Sequence, residues 1–281
     1  MYKFNEFTER KTICIQGKLV SLEVPKVMGI LNVTPDSFYD GGKHAHIDYA
    51  FQQAQKMLEE GADILDIGGY SSRPGAEDIS VEEEKKRVLP IIKTLSEAFP
   101  QALISIDTFR SEVAEAAIQQ GAHIVNDISG GQLDQQMLEV VAGLQVPYIM
   151  MHMRGTPQTM QQKTQYSDLV GELLDFFHQQ ADKFLAAGGK DIIIDPGFGF
   201  AKTVEQNYQL LHCLGELRIL NYPILAGLSR KSMIYKKLDI TPAEALNGTT
   251  VLNTIAIQNG ASLLRVHDVK EAKQVIQLLR E

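Results

Sequence analysis

Short apolar runs rich in β-branched residues recur along the chain, with stretches of helical periodicity between them. They are VMGILNV from Val27, DILDIGG from Asp63, ALISIDT from Ala102, HIVNDISGG from His123, PYIMMHM from Pro147, DIIIDPGFGF from Asp191, PILAGLSR from Pro223 and SLLRVHD from Ser262. Runs that are apolar on both faces suit parallel strands covered by helices, and their alternation with amphipathic segments predicts βα units. Eight such units predict an α/β protein built as one closed (β/α)8 TIM barrel over residues 25–281. The connectors EEGAD, QQGAH, AAGGK and QNGAS place Gly61, Gly121, Gly188 and Gly260 just past the helix ends, where a left-handed residue releases the chain into the next strand. No low-complexity segment or Pro/Ser-rich linker divides this region. Residues 1–24 stand apart, because ICIQGKLVSLEV alternates around Gln16-Gly17 and predicts a β-hairpin extension placed to plug the amino-terminal mouth of the barrel.

With 281 residues, 44% hydrophobic and 22% charged, the chain is long enough to bury roughly three-quarters of its unfolded surface without staples. The formal charge of −8 and the absence of a basic stripe argue against a nucleic-acid partner, so any anion must be met locally. Cys14 and Cys213 have neither metal-like nor redox-like spacing, which favours a reducing compartment. The mixed charge of MYKFNEFTERK is unlike a signal peptide, and no apolar run approaches the ~18 residues of a membrane span. A soluble, cytoplasmic protein is expected.

Nearly every predicted strand runs into polar or glycine-rich sequence: Asn32, Gly68-Gly69, Asp107-Thr108, Asn126-Asp127, His152, Asp195-Pro196, Ser229-Arg230-Lys231 and Arg265-Val266-His267. In a barrel these positions converge on the carboxyl-end face, where active sites of this fold are built. A helix cap or turn explains any one of them equally well, but not all eight together. Asp107, Asn126 and Asp195 follow the apolar stretches LISI, HIV and III and are expected to be partly buried, where a carboxylate needs a partner. With no protein cation adjacent, a ligand offering two N–H donors side by side, as an aminopyrimidinone does, would satisfy a carboxylate in bidentate fashion. For Asp127, hydrogen bonds to backbone amides of the following turn compete with a ligand role. Arg73 in SSRPG, Arg230 and Lys231 in SRKS, and Arg265 with His267 in RVHD form a cationic group. Barrels commonly hold phosphate with the loops after strands seven and eight, where SRKS and RVHD fall, so a phosphorylated or diphosphorylated substrate is expected.

The stretches NVTPDSFYDGGKHAH and GGYSSRPGAEDIS read as long lid or binding loops, with His44 and His46 as solvated loop residues. DPGFGF lacks both the Walker lysine and the G-x-G-x-x-G register. Phe198 and Phe200 suit either an aromatic wall or core packing, and His152 either the site or a packed interior. There is no H-E-x-x-H, no close His/Cys cluster, no G-x-S-x-G elbow and no evident cysteine nucleophile.

Taken in order, NVTPDSF, SSRPGA, IDT, NDISGG, MMHMRGTPQTM, DPGFGFAK, SRKS and RVHDV resemble the dihydropteroate synthases, and the resemblance covers essentially the whole chain after residue 25. It implies a transferase of folate biosynthesis that condenses 6-hydroxymethyl-7,8-dihydropterin diphosphate with 4-aminobenzoate to give 7,8-dihydropteroate and diphosphate. Magnesium would assist, and the enzyme would be a sulfonamide target. The family also implies a homodimer, for which the late helix in NGTTVLNTIAIQNG could supply an isologous surface. Residue by residue, the resemblance implies Asp107, Asn126, Asp195, Lys231 and Met151 at the pterin. It implies Asn32, Ser72, Arg73, Arg265 and His267 at the diphosphate, with Asn32 on magnesium. Arg73, Pro74, Phe200, Ser229 and Lys231 would shape the aminobenzoate pocket. The catalytic set would be Asn32, Asp36, Arg73, Lys231, Arg265 and His267. The family's mechanism implies early loss of diphosphate, so Arg265→Ala should cut turnover while sparing affinity for a pterin without diphosphate. Tyr70 stands where the family often has Glu, and Ser72 where it often has Thr. Two rivals remain: a methyltetrahydrofolate-binding methyltransferase would need neither SRKS nor a diphosphate clamp, and a silent pterin-binding protein should lack some of Asn32, Arg73, Lys231, Arg265 or His267. All five are present.

Overall fold

Thr12–Ile15 (β1) and Lys18–Ser21 (β2) pair antiparallel across Gln16 and Gly17, whose φ values of 50° and 76° are those of a tight two-residue hairpin turn. Eight further strands form a closed parallel barrel: Lys26–Asn32 (β3), Ile64–Gly68 (β4), Leu103–Asp107 (β5), Ile124–Asp127 (β6), Tyr148–Met151 (β7), Ile192–Asp195 (β8), Ile224–Ala226 (β9) and Ala261–Val266 (β10). The barrel closes where β10 pairs with β3. The structure is a computed structural model and describes residues 10–33, 43–71 and 78–280. Helices Lys43–Glu59 (α1), Val81–Ala98 (α2), Ser111–Gln119 (α3), Met137–Leu144 (α4), Leu169–Ala186 (α5), Val204–His212 (α6), Ser232–Leu238 (α7), Leu246–Gln258 (α8) and Val269–Leu279 (α9) wrap the strands. Gly61, Gly121, Gly188 and Gly260 carry φ of +93° to +107°, the conformation expected of residues that end helices.

One expectation is corrected at α1. The helix begins at Lys43, so His44 and His46 lie in its first turns and not in a loop.

Strand alternation sorts the side chains into two separate cores. Val27, Leu31, Leu65, Ile67, Ile104, Ile106, Val125 and their equivalents point outward and form the large core against the helices. Met28, Ile64, Ile124, Ile149, Ile193, Leu225 and Leu263, one from each of seven strands, point inward near the amino-terminal ends, with Leu103 of β5 packed against them. Ile13, Ile15 and Leu22 from the hairpin segment belong to this same inner cluster. The hairpin therefore seals the lower mouth of the barrel with apolar side chains. Two residues further along each strand, alternation points Asp66, Ser105, Asn126, Met151, Asp195 and Arg265 inward again. The interior thus changes from apolar to polar about one side-chain layer above the plug. A second apolar patch, of Ile128, Met151, Met153, Met160 and Ala201 with Phe109, Leu133 and Phe200 packed on it, lies toward the upper mouth.

Candidate active site

Asn32, Gly68, Asp107 and Asn126 are register partners across four adjacent strands, so they form one row at the upper mouth. Gly68 lies between Asn32 and Asp107 in that row. A Cβ on Gly68 would sit 3.5 Å from the Asp107 Oδ2 and 3.6 Å from the Asn32 Oδ1. Asn32 and Asp107 therefore converge above a position that no side chain fills.

On the opposite side of the barrel closure, Arg265 reaches across two strands. Its Nε donates to Asp66 Oδ2 at 2.6 Å and its Nη2 to Asp107 Oδ2 at 2.5 Å. Asn126 Nδ2 donates to the same Asp66 oxygen at 3.1 Å. Asp66 is fully buried, and its Oδ1 has no hydrogen-bond partner among the described residues. The result is a charge-assisted network in which one guanidinium bridges two acids. Burial works against the charge of Arg265, but the two flanking carboxylates raise its pKa and keep it protonated. Burial pushes Asp107 up to about 7, against the pull of Arg265.

A second ion group lies at the ends of β8 and β9. Asp195 Oδ1 accepts from Gly197 N at 2.8 Å, and burial raises its pKa against the attraction of Lys231. Lys231 Nζ donates to the Phe198 carbonyl and lies 4.9 Å from the Phe200 ring centroid. Burial lowers Lys231 to about 8, opposed by Asp195. The pair meets over Gly227, where a Cβ would lie 3.5 Å from Lys231 Nζ and 3.9 Å from Asp195 Oδ2. Ser229 Oγ lies 3.0 Å from His267 Nδ1 and accepts from the His267 backbone N–H at 3.1 Å, tying the loops after β9 and β10 together. The arrangement is a polar cup with two half-buried cations, Arg265 and Lys231, two buried acids, Asp66 and Asp195, and half-buried Asp107, floored by apolar side chains. It is suited to a flat, hydrogen-bonding heterocycle that carries an anionic group.

The family model described as "Pterin binding enzyme" matches residues 28–267, from the middle of β3 to the histidine after β10. The dihydropteroate synthase of Synechocystis is 50% identical over 255 residues, covering 90% of this chain and 88% of the relative. That settles kinship. The chain belongs to the dihydropteroate synthase family. The solved Yersinia pestis dihydropteroate synthase, in complex with a sulfonamide drug, superposes with a TM-score of 0.89 at 42% identity, covering 95% of this chain and 97% of that one. The Xanthomonas albilineans synthase with 4-aminobenzoic acid also gives 0.89, at 40% identity and 95% and 96% coverage. The same Xanthomonas protein has been solved with 7,8-dihydropteroate.

In this synthase-family barrel, Asn32, Asp107, Asn126, Met151, Asp195, Phe200, Ser229, Lys231, Arg265 and His267 all lie at the upper ends of the strands or in the segments just after them. Asp36, Ser72, Arg73 and Pro74 lie outside the described residues. Several expectations change. Asp107 and Asp195 do have protein cations close by, so the premise of unpartnered acids fails: barrel closure brings Arg265 to Asp107. Arg230 does not join the cationic group. It binds Asp268 through Nε and Nη2 at 2.9 and 2.8 Å and caps the Pro242 and Ala243 carbonyls, which spends its donors on the fold. Asp127 faces outward and accepts from Ser129 N, Ser129 Oγ, Gly131 N and Tyr148 Oη, at 2.6–2.8 Å. Its backbone-capping alternative is the one that holds. His152 is a packed interior residue set edge-on to Phe176, and burial lowers its pKa to about 2. Phe198 belongs to the core, whereas Phe200 packs at the mouth.

Tyr70 acquires a local account: its hydroxyl accepts from Gln158 Nε2 at 3.0 Å, and its ring packs edge-on to Phe109 and beneath Arg110. Arg110 in turn holds Glu84 at 2.7 Å, Asp78 at 3.0 Å and the Ile79 carbonyl, bracing the chain just after position 77.

Sequence reasoning missed Asp66, Glu84 and Lys202 as buried ionisable groups. The charge within ILDIG was a usable signal for Asp66, since alternation puts it on the face of Ile64 and Gly68. Nothing in local sequence marked Glu84 or Lys202 as buried.

Proposed function

We infer that this barrel is a dihydropteroate synthase that joins a dihydropterin bearing a methyl diphosphate to 4-aminobenzoate. The observation that carries the reading is the polar cup in which Asp107, Asn126 and Asp195 stand beside Arg265 and Lys231. Asp195 and Asn126 would accept and donate at the pterin edge, with Met151 beside the ring and Lys231 over it. Arg265, His267 and Arg73 would meet the diphosphate, and Phe200, Ser229 and Pro74 would bound the aminobenzoate. The bond from the pterin methylene to the diphosphate oxygen breaks, and its electron pair leaves with the diphosphate. The lone pair of the aryl amine then forms the new C–N bond, and the amine releases a proton to solvent. Cations fixed before the reaction stabilise the departing charge with little reorganisation, so no covalent nucleophile is required.

Magnesium fits the donor set. Asn32 offers a neutral oxygen beside the Asp107 carboxylate. Among the described residues no cluster of three or more His, Cys, Asp or Glu could hold a metal ion. Such sparse ligation suits an ion that keeps its waters and leans on substrate phosphate oxygens, with Asn32 as its protein ligand. When bound, magnesium would neutralise charge on the diphosphate.

The decisive assay incubates purified protein with the pterin diphosphate, radiolabelled 4-aminobenzoate and magnesium. Labelled dihydropteroate is the expected product, and its absence overturns the reading. Chelation with EDTA is expected to lower turnover by about 100-fold, with recovery on adding magnesium.

The reading extends to a homodimer and to the cytosol. Exposed Val251 and half-buried Ile255 on α8 continue an apolar strip from exposed Leu238 at the end of α7, a surface suited to isologous packing. Sedimentation at twice the chain mass is expected, and monomeric sedimentation at micromolar concentration would remove this part. Cys14 and Cys213 are free thiols, as a reducing compartment requires, and no helix among the described residues is long and apolar enough to cross a membrane.

A further inference from the structure

Lys202 ends the DPGFGFAK segment and is 4% exposed. Its Nζ donates to the Gly197 carbonyl at 3.1 Å and to the Phe200 carbonyl at 3.2 Å, and it lies 3.1 Å from His152 Nδ1. The three N–H bonds of an ammonium thus meet three acceptors. The imidazole takes the acceptor role because burial keeps it neutral. None of the three partners is a carboxylate. An ammonium buried on neutral acceptors costs free energy that an apolar side chain of the same volume would not. Burial accordingly lowers its pKa to about 7, opposed by the more distant Asp195.

The three contacts share one geometric effect. Gly197 and Phe200 stand near the two ends of the turn after β8, and His152 follows the last residue of β7. Within the turn, Gly197, Gly199 and Ala201 all have left-handed backbone, with φ of +70°, +81° and +50°. For Ala201 that conformation is strained and persists only where surroundings impose it. A Cβ on Gly197 would lie 2.0 Å from the His152 carbonyl oxygen, so the turn rests directly on the end of β7. The same turn supplies Gly197 N to Asp195 Oδ1, the Phe198 carbonyl to Lys231, and the Phe200 ring beside the Lys231 ammonium. Buried Lys202 and half-buried Lys231 therefore grip one strained turn. Lys231 belongs to the proposed pocket, while Lys202 spends its donors on the turn itself.

We propose that Lys202 is a positioning residue for the condensation: by binding Gly197 O, Phe200 O and His152 Nδ1, it holds the 196–201 turn in the shape that presents Asp195, the Phe198 carbonyl and the Phe200 ring to the substrates. This rests on the reaction proposed above. Lys202 itself touches neither substrate nor leaving group, so its loss disturbs binding geometry more than the chemical step.

The test replaces Lys202 with Met, which keeps the stem and removes the charge. It measures kcat and both KM values by labelled product, alongside thermal unfolding. A displaced Phe200 is expected to raise the KM for 4-aminobenzoate by at least about 10-fold while kcat changes by less. A lower Tm with unchanged KM values at 25 °C would mean that Lys202 merely supports the fold, and would overturn the proposal. If Lys202→Met is recovered only as aggregate, His152→Leu removes one of the three acceptors and leaves the ammonium in place. A smaller rise in the same KM is then expected, and an unchanged KM overturns the role. A wild-type protein with no turnover would instead count against the assigned reaction.

Discussion

Replacing Arg265 with alanine is expected to remove turnover by at least about 1,000-fold, to weaken pterin binding and to destabilise the fold by about 3–5 kcal/mol. The first effect follows from its proposed place beside the diphosphate. The other two follow from the network it completes. Asp66 is fully buried, has one oxygen without a partner among the described residues, and shares its other oxygen between Arg265 and Asn126. Without the guanidinium, Asp66 and Asp107 become two neighbouring acids with no cation between them. Asp107, already pushed up by burial, is then driven further toward its protonated form. Asn126 shares that disturbance, because its amide donates to Asp66. From sequence alone, the variant should bind a pterin lacking diphosphate normally. The structure points the other way, since Arg265 binds Asp107 directly and reaches Asn126 through Asp66, and both are among the residues proposed for the pterin. Calorimetric titration with the dihydropterin, urea unfolding and labelled turnover separate the three effects. Normal pterin affinity together with lost turnover would show that the Asp66–Arg265–Asp107 network does not shape the pterin site. Arg265→Lys should retain part of the stability but little turnover, because a single ammonium cannot span both acids as the guanidinium fork does.

Lys231→Met is expected to lower kcat/KM by about 100- to 1,000-fold, from loss of one preorganised cation in a buried site. It removes the charge nearest Asp195 and the donor to Phe198 O, so the acid's burial is no longer offset by a cation above it. The pH profile offers an independent check. Lys231 is the charged, competent form below its lowered pKa of about 8, so kcat/KM should fall as pH rises through that value. On the acid side, Asp107 takes up a proton as pH falls through about 7, which weakens its hold on Arg265 and lowers the rate. A narrow bell between these values is therefore expected, described by apparent values that belong to the coupled site. The limb near pH 8 should be absent in Lys231→Met. If it persists there unchanged, the titration belongs to another group. Buried Lys202, at about 7, is then the first candidate.

How much of this was legible depended on the distance over which each feature is decided. The strands were readable because each run of apolar residues satisfies a local rule: outward positions meet helices and inward positions meet the plug. Asp107, Asn126 and Asp195 were readable as candidates because they close such runs. Asp66 sits in the middle of one, and recognising its inward face requires knowing that Ile64 belongs to the inner cluster. Its partner Arg265 lies 199 positions away, and only the pairing of β10 with β3 brings the two strands together. Arg230 and Lys231 show the same limit at its sharpest. They are adjacent in SRKS and alike in charge. The left-handed backbone at Arg230, φ 52°, nevertheless directs its side chain to Asp268, while Lys231 turns to Phe198 and Asp195.

By itself, then, the sequence determined the barrel, the hairpin that seals it, the glycines that end helices and the end of the barrel at which polar groups gather. Periodicity, turn chemistry and strand alternation are properties of neighbouring residues. Tertiary structure alone decided which charges meet. It gave Arg265 to two acids, set Arg230 aside for the fold, sent Asp127 outward to cap a turn and buried Lys202 beneath the DPGFGF turn. Those outcomes depend on closing the barrel, which juxtaposes side chains distant along the chain in a medium where a buried charge must find whatever partner lies within reach.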